Sequence, residues 1–244
     1  MQAIACGGLA LGASHAYAAC TFGGSGEPSL QSSLDSLVGA GIVNAQTSCV
    51  ADGQDAAWNT VGSVGEIMIA IELAGNAATN SFGVYDLNDP THRLTVFTGS
   101  DGANSTAVLR VRQAAGGGWN LSTRGTDPGD PTNWSGPLSI ATSAFGFYLG
   151  TASNGTFFSN TALNADGVDH LYAYGGTGTG NLDGDVFDVN SFILAWEDLS
   201  GGGDRDYQDF VAVVHDITPV PLPTAIWLLV SGLIGLTGVA RRHA

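Results

Sequence analysis

Residues 195–210, with the sequence AWEDLSGGGDRDYQDF, decide how this chain of 244 residues folds. The apolar residues toward each end predict two strands, and the run Gly201-Gly202-Gly203 predicts the loop that joins them. Carboxylates crowd into that loop, and Trp196, Tyr207 and Phe210 flank it as expected core residues. The segment therefore predicts a β-rich fold with a cluster of negative charge where the two strands meet.

The rest of the chain extends the same β pattern. Residues 64–73 alternate with a period of two over part of their length, which is typical of a strand. Further strands are predicted at 81–87, 93–98, 107–113, 119–122, 144–150, 170–174, 191–197 and 209–216, with turn signals at 88–90, 100–102, 116–118 and 127–131. One helix is predicted outside the C-terminal tail, at 29–38, where Leu30, Leu34 and Leu37 share a face. Many short strands favour an all-β domain of the β-sandwich or jelly-roll type.

The acidic loop is the main candidate for a binding site. Its candidate ligands are Glu197, Asp198, Asp204, Asp206 and Asp209. Carboxylates so close together repel one another, and the single Arg205 compensates little of that charge. A hard cation bound by these oxygens and by carbonyls of the glycine loop would resolve the repulsion, so the sequence predicts a calcium site. The alternative is that these Asp and Gly residues serve only the turn, since Asp side chains often bond backbone amides there.

Other polar residues are weaker candidates for the same role. They are Asp86, Asp166, Asp169, Asp183 and Asp185. The stretch that begins at Asn181 starts like a calcium loop, but Val186 and Phe192 occupy the positions where an EF-hand has Gly and Glu. His170 is expected to be a hydrogen-bonded core or turn residue and not a metal ligand. No Cys/His spacing typical of zinc is present.

The charge balance narrows the class of protein further. All seven basic residues are arginines, and the 22 acidic residues lie between Glu27 and Asp216, where five of the arginines occur. A surface so acidic argues against binding to nucleic acid or to anionic lipid. No Gly-x-Ser-x-Gly, P-loop or His-Glu-x-x-His motif occurs, so the sequence predicts no enzyme.

The C-terminal residues form a distinct segment. Val220, Pro221, Leu222, Pro223 and Thr224 lead into the uncharged stretch 225–240, which Arg241 and Arg242 follow. A helix that rises about 1.5 Å per residue would carry this stretch most of the way across a hydrocarbon core of roughly 30 Å. The arginines would remain on the cytoplasmic side and leave the rest of the protein outside. An ordinary single-span anchor is the alternative interpretation.

The order of these parts resembles the PEP-CTERM sorting tail in its VPLP-type variant. The resemblance implies a protein of bacteria that make exopolysaccharide, held briefly in the inner membrane and cleaved near the proline motif by an exosortase. It also implies a final location at the cell surface or in the extracellular matrix of a Gram-negative bacterium. A short apolar segment at 4–11 followed by Ala16-Tyr17-Ala18 agrees, because it predicts signal peptidase cleavage after Ala18.

The cysteines fit an exported protein. Cys6 would leave with the signal peptide, so Cys20 and Cys49 would form the remaining pair in an oxidising compartment, and a disulfide between them is expected. Two free buried thiols are the alternative.

The acidic loop carries a second resemblance. The pattern WEDLxGGGDxDYxDF is similar to the signature of an uncharacterised β-rich domain of exported bacterial proteins, and the likeness extends upstream through 81–86 and 164–170. It covers roughly residues 60–217 and assigns Glu197, Asp198, Asp204, Asp206 and Asp209 to the acidic positions of the signature. The resemblance implies no biochemical function.

Together these features predict four parts of the chain. They are a signal peptide at 1–18, an N-terminal segment at 19–60 with the disulfide, a β-sandwich at 61–218, and a sorting tail at 219–244 with a transmembrane helix at 225–240. The first functional hypothesis is a structural protein of the cell surface or of an exopolysaccharide matrix. The second is a carbohydrate-binding or adhesion module in which exposed Trp58, Trp119 and Trp134 serve as sugar platforms.

Overall fold

A computed structural model describes residues 17–22, 29–72, 79–125, 134–182 and 184–220. The regular structure of these residues is mainly antiparallel strand, which confirms the expectation of an all-β fold. Several expected features lie outside the described residues: the signal peptide up to residue 16, Asp183, and the tail with Pro221, Leu222, Pro223, Thr224, the helix at 225–240, Arg241 and Arg242. Within the described ranges, no helix is long and apolar enough to cross a membrane.

The elements follow one another in the following order along the chain. They are β1 (Tyr17–Ala18), α1 (Leu30–Val38), β2 (Cys49–Val50), β3 (Trp58–Thr60), β4 (Val64–Glu72), β5 (Ser81–Asp86), β6 (Asp89–Thr98), β7 (Thr106–Gln113), β8 (Trp119–Gly125), β9 (Ser135–Ile140), β10 (Phe145–Thr151), β11 (Gly155–Phe158), a short 3₁₀ helix (Thr161–Leu163), β12 (Leu171–Gly175), β13 (Asn181–Leu182), β14 (Asp185–Val186), β15 (Phe192–Trp196), a second 3₁₀ turn (Ser200–Gly202), β16 (Phe210–His215) and β17 (Ile217–Pro219).

The strands form two main sheets. The larger has nine strands in the order β1-β2-β12-β15-β16-β4-β7-β8-β9. The smaller has the order β17-β3-β10-β5-β6, with β11 paired to β10 beside this path. Strands β2 and β3 of the N-terminal segment therefore join different sheets, while β15 and β16 lie near the middle of the larger one. The short pair β13-β14 forms a third, separate ribbon.

The two main sheets share one core of aromatic side chains. Phe82 of β5 stacks on Phe147 in its own sheet at 5.5 Å between ring centroids, and on Phe210 of the larger sheet at 5.0 Å. It also meets Trp196 edge-on at 6.1 Å. All four side chains are buried, so these contacts join the sheets face to face.

A second cluster covers the other face of the larger sheet. Helix α1 begins after the N-cap residue Ser29, whose Oγ accepts from the backbone N–H of Ser32 at 3.4 Å. Leu30 and Leu34 are buried in this cluster, and Leu37 packs against it, so the predicted apolar face of the helix is confirmed. The expected disulfide between Cys20 and Cys49 is present in the same cluster.

Several strand boundaries differ from those predicted, for identifiable reasons. Strand β6 starts at Asp89 and not at residue 93, because the turn is formed by Leu87 and Asn88 alone. Pro90 then lies within a strand, which is tolerated because β6 is an edge strand that needs no N–H donor on its free side. The sequence reading missed β9 and β11, whose four to six residues carry little periodicity.

The expected exposure of Trp58 is wrong. This side chain is fully buried, with ring centroids 4.9 Å from Phe192 and 5.8 Å from Phe147, and its Nε1 donates to the carbonyl oxygen of Asp55 at 2.7 Å. Trp119 packs against the same core and is only partly exposed. Neither side chain offers the free flat ring that a sugar platform needs.

The packing between the sheets makes a prediction about Phe82. Replacing it with Ala should lower the free energy of unfolding by roughly 3–5 kcal/mol, because the change opens a cavity between two sheets that cannot close fully. Chemical denaturation followed by circular dichroism measures this loss. Val186→Ala is the matched control, since Val186 is 58% exposed and its truncation should change stability by less than about 0.5 kcal/mol. Equal losses for both variants would contradict the packing described.

Candidate metal site

The acidic loop connects two paired strands in the middle of the larger sheet. Trp196, the last residue of β15, pairs with Phe210, the first residue of β16. The intervening residues leave the sheet, make the 3₁₀ turn at Ser200–Gly202 and return. Both ends of the loop are therefore held by buried, hydrogen-bonded strands, and this limits how far its carboxylates can separate.

Backbone conformation and lack of space explain why the loop contains three glycines. Gly201, Gly202 and Gly203 all have positive φ, at 75°, 79° and 42°. A Cβ atom at Gly203 would also collide with Oε1 of Glu197 and with Cβ of Leu199. Glycine at position 203 therefore lets the chain close tightly over the carboxylate of Glu197.

Two groups of carboxylates converge in this loop. Ligand atoms of Glu197, Asp198 and Asp209 lie within 4.8 Å of one another, and so do those of Glu197, Asp204 and Asp206. Glu197 belongs to both groups and is completely buried; Asp198 is 1% exposed and Asp206 is 8% exposed. The structure thus brings together all five principal candidates from the sequence, and each group could hold a metal ion.

Backbone N–H groups stabilise part of this charge. Glu197 accepts from the N–H of Leu199 through Oε1 at 3.2 Å and from the N–H of Arg205 through Oε2 at 3.0 Å. Oδ2 of Asp209 accepts from the N–H of Asp198 at 2.9 Å. These bonds hold the carboxylates in place but bring no positive charge, so the mutual repulsion remains.

Burial and repulsion both oppose ionisation in this loop. Burial is the larger cause that raises the pKa of Glu197 to about 8, and the charge on Asp209 adds to it. Burial also raises the pKa of Asp209 to about 6, with further contributions from the charges on Asp198 and Asp206. At neutral pH the loop therefore favours either bound protons or a bound cation.

Two amide side chains complete the site, and sequence reasoning missed both. Asn80 donates through Nδ2 to Oδ2 of Asp198 at 3.0 Å, and Gln208 donates through Nε2 to Oδ2 of Asp206 at 2.9 Å. Only the NH₂ end of an amide can donate to a carboxylate, so these bonds fix both orientations. The other amide oxygens, Oδ1 of Asn80 and Oε1 of Gln208, are buried and have no hydrogen-bond partner among the described residues.

Unpaired buried oxygens of this kind point to a missing partner. A buried polar group without a hydrogen bond costs about 1–3 kcal/mol, so native structures rarely keep one without a reason. Amide carbonyl oxygens are ordinary ligands of hard cations. The two unpaired amide oxygens lie beside the two groups of carboxylates that contain Glu197. This arrangement is better explained by a cation site than by a loop that serves only as a turn.

Asp166 and His170 form hydrogen bonds with the acidic loop and with each other. Asp166 accepts through Oδ2 from the N–H of Gly201 at 2.7 Å, and Nε2 of His170 lies 3.0 Å from the same oxygen. Burial opposes ionisation of Asp166, but these bonds and the N–H of Val168 outweigh it and hold its pKa at about 2. The ring of His170 is buried, stacks on Phe157 and reaches the carbonyl oxygen of Glu197 through Nδ1 at 2.9 Å. Both residues thus position the loop, and His170 is a hydrogen-bonded core residue, as the sequence predicts.

The remaining weak candidates lie elsewhere. Asp86 accepts from the N–H of Asn88 at 3.0 Å in the turn after β5, and Asp185 lies exposed in β14. Neither joins the convergent carboxylate groups of the described residues. Asp169 neighbours a different pair of acids, Asp52 and Asp55.

Comparison with known proteins adds one match. Residues 139–215 match the model of a family described as a domain of unknown function (DUF4114), in agreement with the uncharacterised domain that the sequence resembles. This stretch runs from β9 to the end of β16 and contains the whole acidic loop, whereas Asn80 lies outside it. Neither a curated protein nor a solved structure matches the chain.

The raised pKa values predict how pH acts on the cation-free protein. Glu197 and Asp209 keep their protons up to about pH 8 and about pH 6 in the folded state, above their ordinary values of 4.5 and 3.8. Between about pH 5 and pH 8 the folded state therefore binds more protons than the unfolded state, and its stability falls as pH rises. Melting curves in excess chelator at several pH values measure this fall.

Glu197→Gln is the informative variant for that experiment. Its side chain is neutral at every pH, so the decline in melting temperature between pH 5 and pH 8 should be shallower than in the wild type. A wild-type profile that stays flat or rises over this window would contradict the electrostatics described for the loop.

Proposed function

We propose that this protein is an exported structural protein of the cell surface or of an exopolysaccharide matrix, whose acidic loop binds calcium. The observation that supports the calcium site is a pair of buried amide oxygens, from Asn80 and Gln208, that have no hydrogen-bond partner among the described residues. Each amide is hydrogen-bonded to a carboxylate of one of the two groups that contain Glu197. The proposal gives the protein no catalytic role.

The chemistry of the ligands favours calcium over other metals. Carboxylate and amide oxygens in irregular arrangement suit calcium, which takes six to eight oxygen ligands at about 2.3–2.6 Å. Magnesium demands a smaller octahedral site, and zinc prefers the nitrogen and sulfur ligands that this loop lacks. Calcium sites of extracellular modules commonly have dissociation constants of about 10⁻⁴–10⁻³ M.

The location of the site suggests what the ion does. Asp198 lies in the loop of the larger sheet, and Asn80, its hydrogen-bond partner, directly precedes β5 of the smaller sheet. Asn154, between β10 and β11, donates to the carbonyl oxygen of Asp198 at 3.1 Å. A cation bound here would therefore fasten the ends of both sheets to one another, which is a structural role.

The export route is proposed from the two termini. Signal peptidase would cleave after Ala18, the apolar stretch 225–240 would hold the protein in the inner membrane, and an exosortase would cleave near 220–224. Loss of Tyr17–Ala18 would remove the short edge strand β1, and the disulfide at Cys20 would keep the new N-terminus attached. Mass spectrometry of the exported protein tests this route: an intact C-terminus in cells that contain exosortase would refute the processing step.

Calcium should raise the melting temperature of the full chain. At 10 mM calcium, about ten times a dissociation constant of 10⁻³ M, a ligand that binds only the folded state stabilises it by roughly 1.4 kcal/mol. We expect Glu197→Gln and Asp204→Ala to lose most of this rise, because each removes an acidic ligand from a convergent group. Melting curves in chelator and in millimolar calcium measure it.

Asp185→Asn is the matched control for this experiment. It removes one exposed negative charge from β14, away from the loop, and should leave the effect of calcium unchanged. If the control loses as much of the rise in melting temperature, calcium stabilises the protein only by screening its overall negative charge. A wild-type melting curve that millimolar calcium does not move would refute the site.

A second candidate function, binding of an acidic saccharide, has one specific observation in its favour. A cavity of about 330 Å³ is lined by Arg110, Arg112, Gln113, Ala114, Ala115, Asn120, Ser122 and Pro137. The guanidinium carbon of Arg110 lies 3.7 Å from the ring centroid of Trp134, which is therefore covered and not a free sugar platform. Guanidinium groups with nearby amide and hydroxyl donors suit a carboxylate- or sulfate-bearing sugar.

Polygalacturonate in the presence of chelator is a suitable probe for this cavity. If the second candidate is correct, Arg112→Ala should weaken binding at least about 10-fold, because a charge-assisted hydrogen bond contributes about 1.5–3 kcal/mol. Arg93→Ala, which removes an arginine from β6 of the other sheet, should leave binding unchanged. Equal binding by wild type and Arg112→Ala, or no binding at all, would refute this function.

A further inference from the structure

Three arginines lie together on the outer face of the larger sheet. Arg110 and Arg112 of β7 alternate with core residues such as Leu109, so their side chains point away from the other sheet. Arg124 of β8 lies on the same face, as the register of the two strands shows. Three of the five arginines that the structure describes therefore occupy this one surface.

An indole ring holds two of these arginines in place. The guanidinium carbon of Arg110 lies 3.7 Å from the ring centroid of Trp134, and that of Arg124 lies 5.1 Å from it. Trp134, which directly precedes β9, therefore orders two charged groups on a rigid sheet. Tryptophan and arginine are among the residues that contribute most to binding energy in protein interfaces. Arg110, Arg112, Arg124 and Trp134 thus form one surface, the arginine face.

The positive charges of the arginine face repel one another. Neither Arg110 nor Arg112 forms an ion pair within the part of the chain that the structure describes. Desolvation lowers the pKa of Arg110, and the charges on Arg112 and Arg124 lower it further. An anionic partner that binds to the arginine face would relieve this repulsion.

The acidic loop lies at the opposite end of the larger sheet. Strand β4 connects the two places, because Val64 at its start pairs with Arg110. Glu72 at its end pairs with Phe210, the first residue after the acidic loop. The nine residues of β4 span roughly 25 Å at about 3.3 Å per residue. This distance exceeds a Debye length of about 10 Å, so the two charged regions of one copy do not neutralise each other.

A second copy of this chain has the charge that the arginine face requires. Residues 27–216 contain 22 acidic residues and five arginines, so every copy is strongly anionic. The positive and negative regions lie at opposite ends of one domain, so a contact between two copies leaves one region of each kind free. Such a head-to-tail contact can therefore repeat, which suits a structural protein.

We propose that the arginine face of one copy docks onto the acidic loop of a second copy, in a head-to-tail contact that includes Arg112 and Asp204. Both side chains are exposed, so the contact requires no rearrangement of the core. Salt weakens the contact, because it depends on charges at the surface. The contact does not depend on the calcium site: a bound calcium ion carries two positive charges against five carboxylates and leaves the loop anionic.

Charge reversal in two variants tests this contact. The full chain is studied by sedimentation velocity at low salt, in a nonionic detergent that keeps the apolar stretch 225–240 from associating. The wild type should form oligomers. Arg112→Glu and Asp204→Arg should each weaken the association at least about 10-fold, because each places like charges opposite one another. An equal mixture of the two variants should associate again, because each reversed charge then meets an opposite charge on the other variant.

Asp185→Arg is the matched control for Asp204→Arg. It makes the same change in net charge at an exposed position of β14, away from the loop, and should leave the association unchanged. A wild type that is monomeric at low salt, an association that both reversals leave intact, or a mixture that does not associate would each overturn the proposal. Association that appears only when polygalacturonate is added would also overturn it, and would assign the arginine face to the acidic saccharide.

Discussion

The repulsion among buried carboxylates in the loop between β15 and β16 is the constraint on which the rest of the structure depends. Glu197 is completely buried and belongs to two groups of acids within 4.8 Å. The loop cannot relieve this repulsion by opening, because Trp196 and Phe210 pair at its base and both are buried in the core between the sheets. Bound protons or a cation remain as the means of relief, and the unpartnered oxygens of Asn80 and Gln208 favour the cation.

The fold was predictable wherever a residue pattern reflected burial directly. The hairpin around the glycine run and the helix with Leu30 and Leu34 on one face were expected from local sequence alone. The two-residue strands β1 and β2 and the edge strand β9 were not, because they are defined by partners distant in the chain. Trp58 shows most clearly what the local sequence does not predict. Its small and polar neighbours favoured an exposed side chain, but strand β3 places it in the core.

Only the charged residues of the candidate site could be predicted from the sequence. Acidic residues crowded into a short loop are visible in sequence, whereas the neutral amides of Asn80 and Gln208 give no comparable signal. Asn80 is 118 residues from Asp198, its hydrogen-bond partner, so only the packing of the two sheets brings them together.

We propose that calcium completes an acidic, extracellular β-domain, and a calorimetric titration of the full chain with calcium at neutral pH tests this proposal most directly. Performed in two buffers with different ionisation enthalpies, it measures binding and proton exchange together. Because burial raises the pKa of Glu197 to about 8, calcium should bind and displace protons. The predicted result is binding at millimolar calcium or below, with net release of protons. The absence of binding heat at millimolar calcium in both buffers would contradict the account.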